Sequence, residues 1–286
     1  DITIEEQGQV RGGLDRIRAY VRKIEGKRPL DVKTLERALL LANDLPGIAV
    51  RSILTPSQET IGAASLRLVV SQNAKSASVF ANNRGTEFIG EVQTGASGRV
   101  NSPFALHDSL QASYIAAPDD GELHYFGLNY QLPVGPNGTR LRLQASRSFT
   151  DPGSTLDQFD VDGDSTQVEV RLEHPLIRTR RENFVGYFSS DLSNSENEAN
   201  NAALEFDDKL RSVRGGFDYS KVDRWRGFNS LNLELSQGLE ILGATDDFNN
   251  TSRTRGRADY TKMTAEISRL QDLPPDPITM LLTAKG

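Results

Sequence analysis

Leu231-Asn-Leu-Glu-Leu-Ser-Gln-Gly-Leu-Glu-Ile241 decides how the rest of the chain is read. Successive side chains of an extended strand point to opposite faces. Leu231, Leu233, Leu235, Leu239 and Ile241 therefore share one face, and Asn232, Glu234, Ser236 and Glu240 share the other. Such a strand needs apolar surroundings on one side and water on the other. The pattern recurs upstream. Val168, Val170 and Leu172 oppose Gln167, Glu169, Arg171 and Glu173, while Leu141, Leu143 and Ala145 oppose Arg140, Arg142, Gln144 and Ser146. Between 123 and 132 the apolar face is Phe126, Leu128, Tyr130 and Leu132.

Working outward, segments of this kind fill the chain from 74 to 286. Eleven strands are predicted: 75–84, 87–98, 108–117, 123–133, 139–149, 165–178, 183–193, 209–220, 228–242, 257–270 and 278–286. Their usual length suits strands that cross a bilayer at a tilt. Breaks after the fifth, seventh and ninth are long and polar, namely Asp151 to Asp164, Asn194 to Asp208 and Gly243 to Gly256. Those after the fourth, sixth, eighth and tenth are short, such as Pro133-Val-Gly-Pro-Asn-Gly138 and Arg178-Thr-Arg-Arg181. A soluble sandwich also alternates, but its two ends carry similar loops. Long loops on one rim and tight turns on the other mark an outer-membrane barrel. The expected fold of 74–286 is thus a transmembrane antiparallel β-barrel, with a soluble β-rich binding protein as the alternative. Single-chain bacterial barrels have even strand numbers, and an open edge in lipid leaves backbone groups unpaired. With eleven strands, and a last run Leu281-Leu-Thr-Ala-Lys-Gly286 without a closing aromatic, the expected barrel is incomplete here.

Residues 1–73 follow a different grammar. Ile2, Ile4 and Val10 bracket a strand; Leu14, Ile17, Val21 and Ile24 then recur at helical spacing, with Arg16, Arg18, Arg22 and Lys23 opposite. Asp31 is placed to cap a second helix whose buried stripe is Leu35, Ala38, Leu39 and Ala42. Pro46 and Gly47 stop it, since neither continues a helix cheaply. Strands Ile48 to Leu54 and Ser65 to Val70 complete a β-α-α-β-β α+β domain. If that domain lies in the periplasm, odd barrel strands run outward and the long loops fall outside the cell.

Composition narrows the function. Net charge is −6, which gives no support for nucleic-acid binding. The chain has no cysteine, so disulfides, thiolate metal sites and a cysteine nucleophile are excluded. It begins with a strand-like run and no signal segment, so either a signal was removed or the chain starts inside a longer protein. No phosphate-binding Gly-x-x-x-x-Gly-Lys-Ser/Thr loop and no nucleophile-elbow motif occur. No enzyme activity and no cofactor are expected; a lipase barrel is the enzyme alternative. Asp160-Val-Asp-Gly-Asp164 begins like a calcium loop but lacks flanking helices and the bidentate glutamate, which favours an acidic surface loop over 157–164. His107, His124 and His174 are dispersed, so no metal is assigned. Trp225 in Asp223-Arg-Trp-Arg226 fits an interfacial anchor at the periplasmic rim.

Leu35-Glu-Arg-Ala-Leu-Leu-Leu-Ala-Asn-Asp-Leu-Pro-Gly47 closely resembles the second polypeptide-transport-associated domain of two-partner secretion transporters, the haemolysin and filamentous-haemagglutinin secretion/activation proteins. The resemblance continues at Asn82-Asn-Arg-Gly85, Tyr130-Gln-Leu-Pro-Val-Gly135 and Glu173-His-Pro-Leu-Ile-Arg178. It implies a 16-stranded barrel of the Gram-negative outer membrane, two periplasmic domains and a plug helix. It further implies ATP-independent export of a large haemolysin- or adhesin-type exoprotein to the cell surface. The plug, the first periplasmic domain and the last five strands would then lie outside this sequence. So would the sixth extracellular loop with its Arg-Gly-Tyr/Phe motif, which matches no residue here. An insertase of the same superfamily, assembling other barrels, is the runner-up.

Two sites are expected. One is the strand Ile48, Ala49, Val50, Arg51, Ser52, Ile53, Leu54, an edge whose unpaired backbone groups would receive the extended exoprotein, with Arg51 either contacting it or guarding the edge. Proline at Val50 is expected to abolish that recognition. The other is an inner wall of mixed sign, Arg140, Arg142, Glu169, Arg171, Glu173, Glu234, Glu240, Lys262 and Glu266, which solvates the pore. Remaining partners are outer-membrane lipid and lipopolysaccharide, and the protein is expected to be a monomer.

Overall fold

The computed structural model describes residues 2–24, 31–57, 64–117, 122–199, 203–245, 251–253, 256–273 and 278–286. Residues up to Gln72 form a three-stranded sheet covered by two helices. Strand β1 (Ile2–Gln7) lies parallel to β3 (Ala64–Gln72), and β2 (Ile48–Pro56) lies antiparallel to β3, giving the order β1-β3-β2. Helix α1 spans Asp15–Val21 and α2 spans Val32–Asn43. The Asp31 side chain accepts from the Lys33 and Thr34 backbone N–H groups and caps α2. Ile17, Tyr20 and Val21 of α1 and Leu41 and Ala42 of α2 are buried against Leu66, Leu68 and Val70 of β3. Leu41 joins this stripe although it was not expected there, and Leu35 and Leu39 sit at its margin.

The remaining strands form one antiparallel sheet in sequence order. They are β4 (Lys75–Asn82), β5 (Gln93–Asn101), β6 (Ser109–Ala116), β7 (Leu123–Val134), β8 (Thr139–Thr150), β9 (Asp162–Arg178), β10 (Glu182–Ala199), β11 (Leu204–Val222), β12 (Phe228–Gly238), β13 (Thr261–Leu273) and β14 (Ile278–Lys285). Among the described residues the sheet has eleven strands, the number expected, and is open, with β4 and β14 at its edges.

Several strand boundaries differ from expectation, and three of the differences bear on the site. Strand β5 starts at Gln93 rather than 87, because the preceding residues make a turn in which the Gly85 N–H bonds the Glu91 carbonyl. The break expected over Asn194 to Asp208 is instead ladder, paired from Asn194↔Lys209 to Ala199↔Leu204. In the other direction, β12 ends at Gly238, where a Cβ would lie 1.9 Å from the Ala258 carbonyl oxygen. Leu239, Glu240 and Ile241 therefore leave the leucine strand.

The sheet is inside-out by the standard of a soluble protein. Leu235, Met263, Ile267 and Phe188 are each more than half exposed, at 55%, 64%, 58% and 58%. Buried residues of the sheet include Glu173, Ser189, Asp191, Ser212 and Ser236. No second layer of described residues packs on the leucine rows. The apolar face has a defined height. On β11 the register puts Val213, Gly215, Phe217 and Tyr219 on that face, with Arg211 above them and Lys221 below. At about 3.3 Å per residue and a tilt near 45°, this interval spans about 23 Å, close to the ~25 Å apolar band of an outer-membrane barrel.

Candidate functional site

One end of the sheet carries the short turns, and the α/β unit is bolted to it. Arg16 Nη1 donates to Gly135 O at 3.0 Å and Lys23 Nζ to Pro136 O at 2.9 Å, both in the β7–β8 turn. Arg37 donates to the carbonyls of Pro175 (2.6 Å) and Leu176 (3.2 Å) near the end of β9. Arg178 grips Asp44 with two bonds of 2.8 and 2.7 Å, a bidentate geometry that fixes orientation as well as distance. Beside these, the β5–β6 turn pushes His107 under the Gly12-Gly13 turn. Gly12 has φ +93°, and a Cβ there would lie 3.2 Å from the imidazole. His107 is 2% exposed, its ring packed against the Gly12-Gly13 backbone. Burial, and secondarily the Arg16 charge, push its pKa below the ordinary histidine value.

The inner face collects the charged side chains. By register, Arg140, Arg142, Glu169, Arg171, Glu173, Glu234, Lys262 and Glu266 all fall on it. Glu240 does not: it is exposed in the turn after β12, because the strand ends two residues earlier. Glu173 is the hub. Its carboxylate lies 3.1 Å from Arg142, 3.1 Å from Arg171 and 3.6 Å from Arg140. Arg171 stacks 3.6 Å above the Tyr187 ring, and the Tyr187 hydroxyl donates to Glu234 at 2.9 Å. The network so crosses β8 to β12. Asp191 adds a second centre, held by Arg214 at 3.0 Å and by the Ser212 hydroxyl at 2.5 Å. Tyr187, Asp191 and Arg214 were missed because Gly186, Ser190 and Gly215 beside them weaken the alternation; Asp218, between Phe217 and Tyr219, carries the signal and was overlooked.

Strand β2 is one of the two edges of its sheet, the other being β1; among the described residues β2 pairs with β3 alone. Ile48 is buried and Val50 half-buried, whereas Ala49 and Arg51 to Leu54 are exposed. Two edge positions are already occupied. The Ile48 N–H bonds the Leu45 carbonyl at 3.1 Å. The Asn43 side-chain amide accepts from the Val50 N–H at 2.8 Å and donates to the Val50 carbonyl at 3.3 Å, while also donating to Leu39 O at 2.9 Å. Asp162 and Asp164 of the expected acidic loop lie in β9, where Asp164 takes two bonds from Arg147. Trp225 is 63% exposed in the β11–β12 turn, at the end that carries the α/β unit.

The sequence profile described as Haemolysin secretion/activation protein ShlB/FhaC/HecB matches residues 63–281. Among solved structures, CdiB from Escherichia coli has a TM-score of 0.78 at 19% identity, covering 99% of this chain and 53% of that one. CdiB from Acinetobacter baumannii has a TM-score of 0.68 at 17% identity, covering 100% of this chain and 51% of that one. The chain thus spans about half the length of each. At these identities the likeness speaks for the fold. No curated protein sequence matches the chain.

Proposed function

Since the chain belongs to the haemolysin secretion/activation family of outer-membrane β-barrel transporters, we propose that it forms the docking edge and part of the pore wall through which one large secreted partner protein leaves the periplasm. The observation that carries this reading is the inverted sheet: leucine and phenylalanine rows exposed on one face, a connected charge network on the other. In this reading residues 1–73 are periplasmic and the strands from 74 onward cross the membrane. The partner protein enters unfolded, and its first backbone contacts are made at β2. Inside, the mixed-sign wall solvates a polar chain without holding it, because its arginines and carboxylates already pair with each other. Nothing here binds a nucleotide in this scheme, so direction comes from folding of the cargo outside the cell. The outer-membrane lipid and lipopolysaccharide cover the apolar band.

The test is direct. The purified protein is expected to need detergent or lipid to stay monodisperse. Deleting its gene is expected to remove one large protein from the culture medium. A protein monodisperse in plain buffer, or an unchanged medium, overturns the proposal.

A further inference from the structure

The β2 edge can be read group by group. In an antiparallel ladder the N–H and C=O of one residue point to the same side, and the side alternates along the strand. Val50 turns both groups to the Asn43 amide, away from β3. The opposite parity is fixed independently, because the Gly47 carbonyl accepts from the Asn73 N–H on the β3 side. Register from Ile48↔Gln72 to Pro56↔Ala64 is unbroken. Hence the even positions face outward along the whole strand. Ile48 uses its N–H on Leu45 and Val50 is fully capped. Pro56 has no N–H to give. Among the described residues, Ser52 and Leu54 are the outward positions that keep both N–H and C=O open; Ile48 and Pro56 keep only the carbonyl.

We propose that Asn43 is a register stop, confining an incoming extended chain to the Ser52–Leu54 segment of β2. The inference rests on the docking role given to this strand above, and sharpens it. The open groups form a row of alternating donors and acceptors, not a concavity. That row fits a polypeptide in extended form; a helix has spent its own backbone groups and offers none. The occupant is therefore an extended segment of the exported partner. Its neighbours are the exposed Ile53 and Leu54 side chains, so an apolar residue on the visitor gains cover at that point. Asn43 does for Val50 what a neighbouring strand would do, with a single amide, and so blunts the half of the edge nearest the helix. The expected proline effect at Val50 is corrected by the same geometry. Its N–H serves Asn43, so Ser52→Pro and Leu54→Pro are the substitutions that block docking.

The experiment uses the full-length transporter in its host. The probe is the secreted protein that disappears from the medium when the transporter gene is deleted. A photo-crosslinking residue replaces Ala49 or Ile53, both exposed and both beside the edge. The expected result is a cross-link to the probe from position 53 and not from 49, with Asn43→Ala extending cross-linking to 49. Hydrogen exchange accompanies it. The Val50 amide is expected to be protected in the parent and fast in Asn43→Ala, while the Val69 amide stays protected in both and reports an intact ladder. Cross-links at 49 in the parent, or none gained in Asn43→Ala with the ladder intact, overturn the register stop alone. Secretion undisturbed by both Ser52→Pro and Leu54→Pro, with no cross-link from either position, overturns the docking edge itself. A cross-linked pair of transporters does the same.

Discussion

Glu173 faces three guanidinium groups within 3.6 Å and is itself 6% exposed. A buried carboxylate in this setting stabilises mainly by what its removal would leave behind, namely three mutually repelling arginines with too few counter-charges. Glu173→Gln keeps the shape and one acceptor but deletes the charge. It is expected to destabilise the barrel by about 1–3 kcal/mol, the lower end reflecting water in the lumen; urea unfolding in lipid vesicles measures this. His107 belongs to the same scale. A histidine whose folded pKa is lowered binds its proton more weakly folded than unfolded, so stability rises with pH across the window between the two values. Acidifying from neutrality through the ordinary histidine range should loosen the joint between the α/β unit and the sheet. His107→Phe should flatten that dependence. Distance measurements between spin labels on α2 and on β9, taken against pH, decide it; an unchanged slope in His107→Phe removes the histidine from the account.

At the scale of the element, the leucine strand makes the sharpest contrast. Leu235 is 55% exposed on the apolar face and Asn232 lies on the inner face. Leu235→Lys is expected to cost about 2–4 kcal/mol in a bilayer, as charge does near the midplane of a barrel's lipid face. Asn232→Lys, beside Asp218 at 2.6 Å, should be close to neutral. Equal effects of the two would mean that the faces are not in different media. Elements of this kind were legible in the sequence because each medium selects one residue class. That is also why legibility failed where the medium stopped differing. From Asn194 to Glu198 both faces of β10 are polar, and in β11 Leu204 and Phe206 alternate for only two positions before Asp207-Asp208, so the period-2 signal is too short and ladder reads as loop. At β12 the failure was of the opposite kind: Leu239 and Ile241 continue the alternation in sequence after Gly238 has taken the backbone out of the ladder. Glu240 was misplaced with them. The β2 edge was recognised, but its capping by Asn43 was not, since nothing in the sequence says which way a side-chain amide will turn.

The whole molecule is set by the joint between its two parts. Arg178 and Asp44 bind through two bonds, Arg37 caps two carbonyls of β9, and Arg16 and Lys23 hold the β7–β8 turn. These contacts fix where the β2 edge stands relative to the inner wall. Asp44→Ala leaves Arg178 without its carboxylate and should let the α/β unit sway. Secretion should fall several-fold while the amount of barrel in the membrane is unchanged, with the spin-label distance distribution broadening as the independent measure. The resemblance at Asn43-Asp44 in the sequence pointed to this stretch as a family mark. Only the packing says that one of these neighbours holds the joint and the other tends the edge.

The ladder of β10 and β11 continues from Arg211, at the upper limit of the apolar band, for seven more residues to Leu204. That adds about 20 Å of hydrogen-bonded hairpin along the strand direction. Backbone pairing keeps such an extension stiff without any lipid around it, and its carboxylates at Glu196, Glu198, Asp207 and Asp208 keep it wetted. In the proposed membrane orientation this hairpin forms a parapet standing clear of the bilayer surface. If the strands line an export pore as proposed, a polypeptide leaving it would meet open water at that height, its first folded turns screened from the greasy plane beneath.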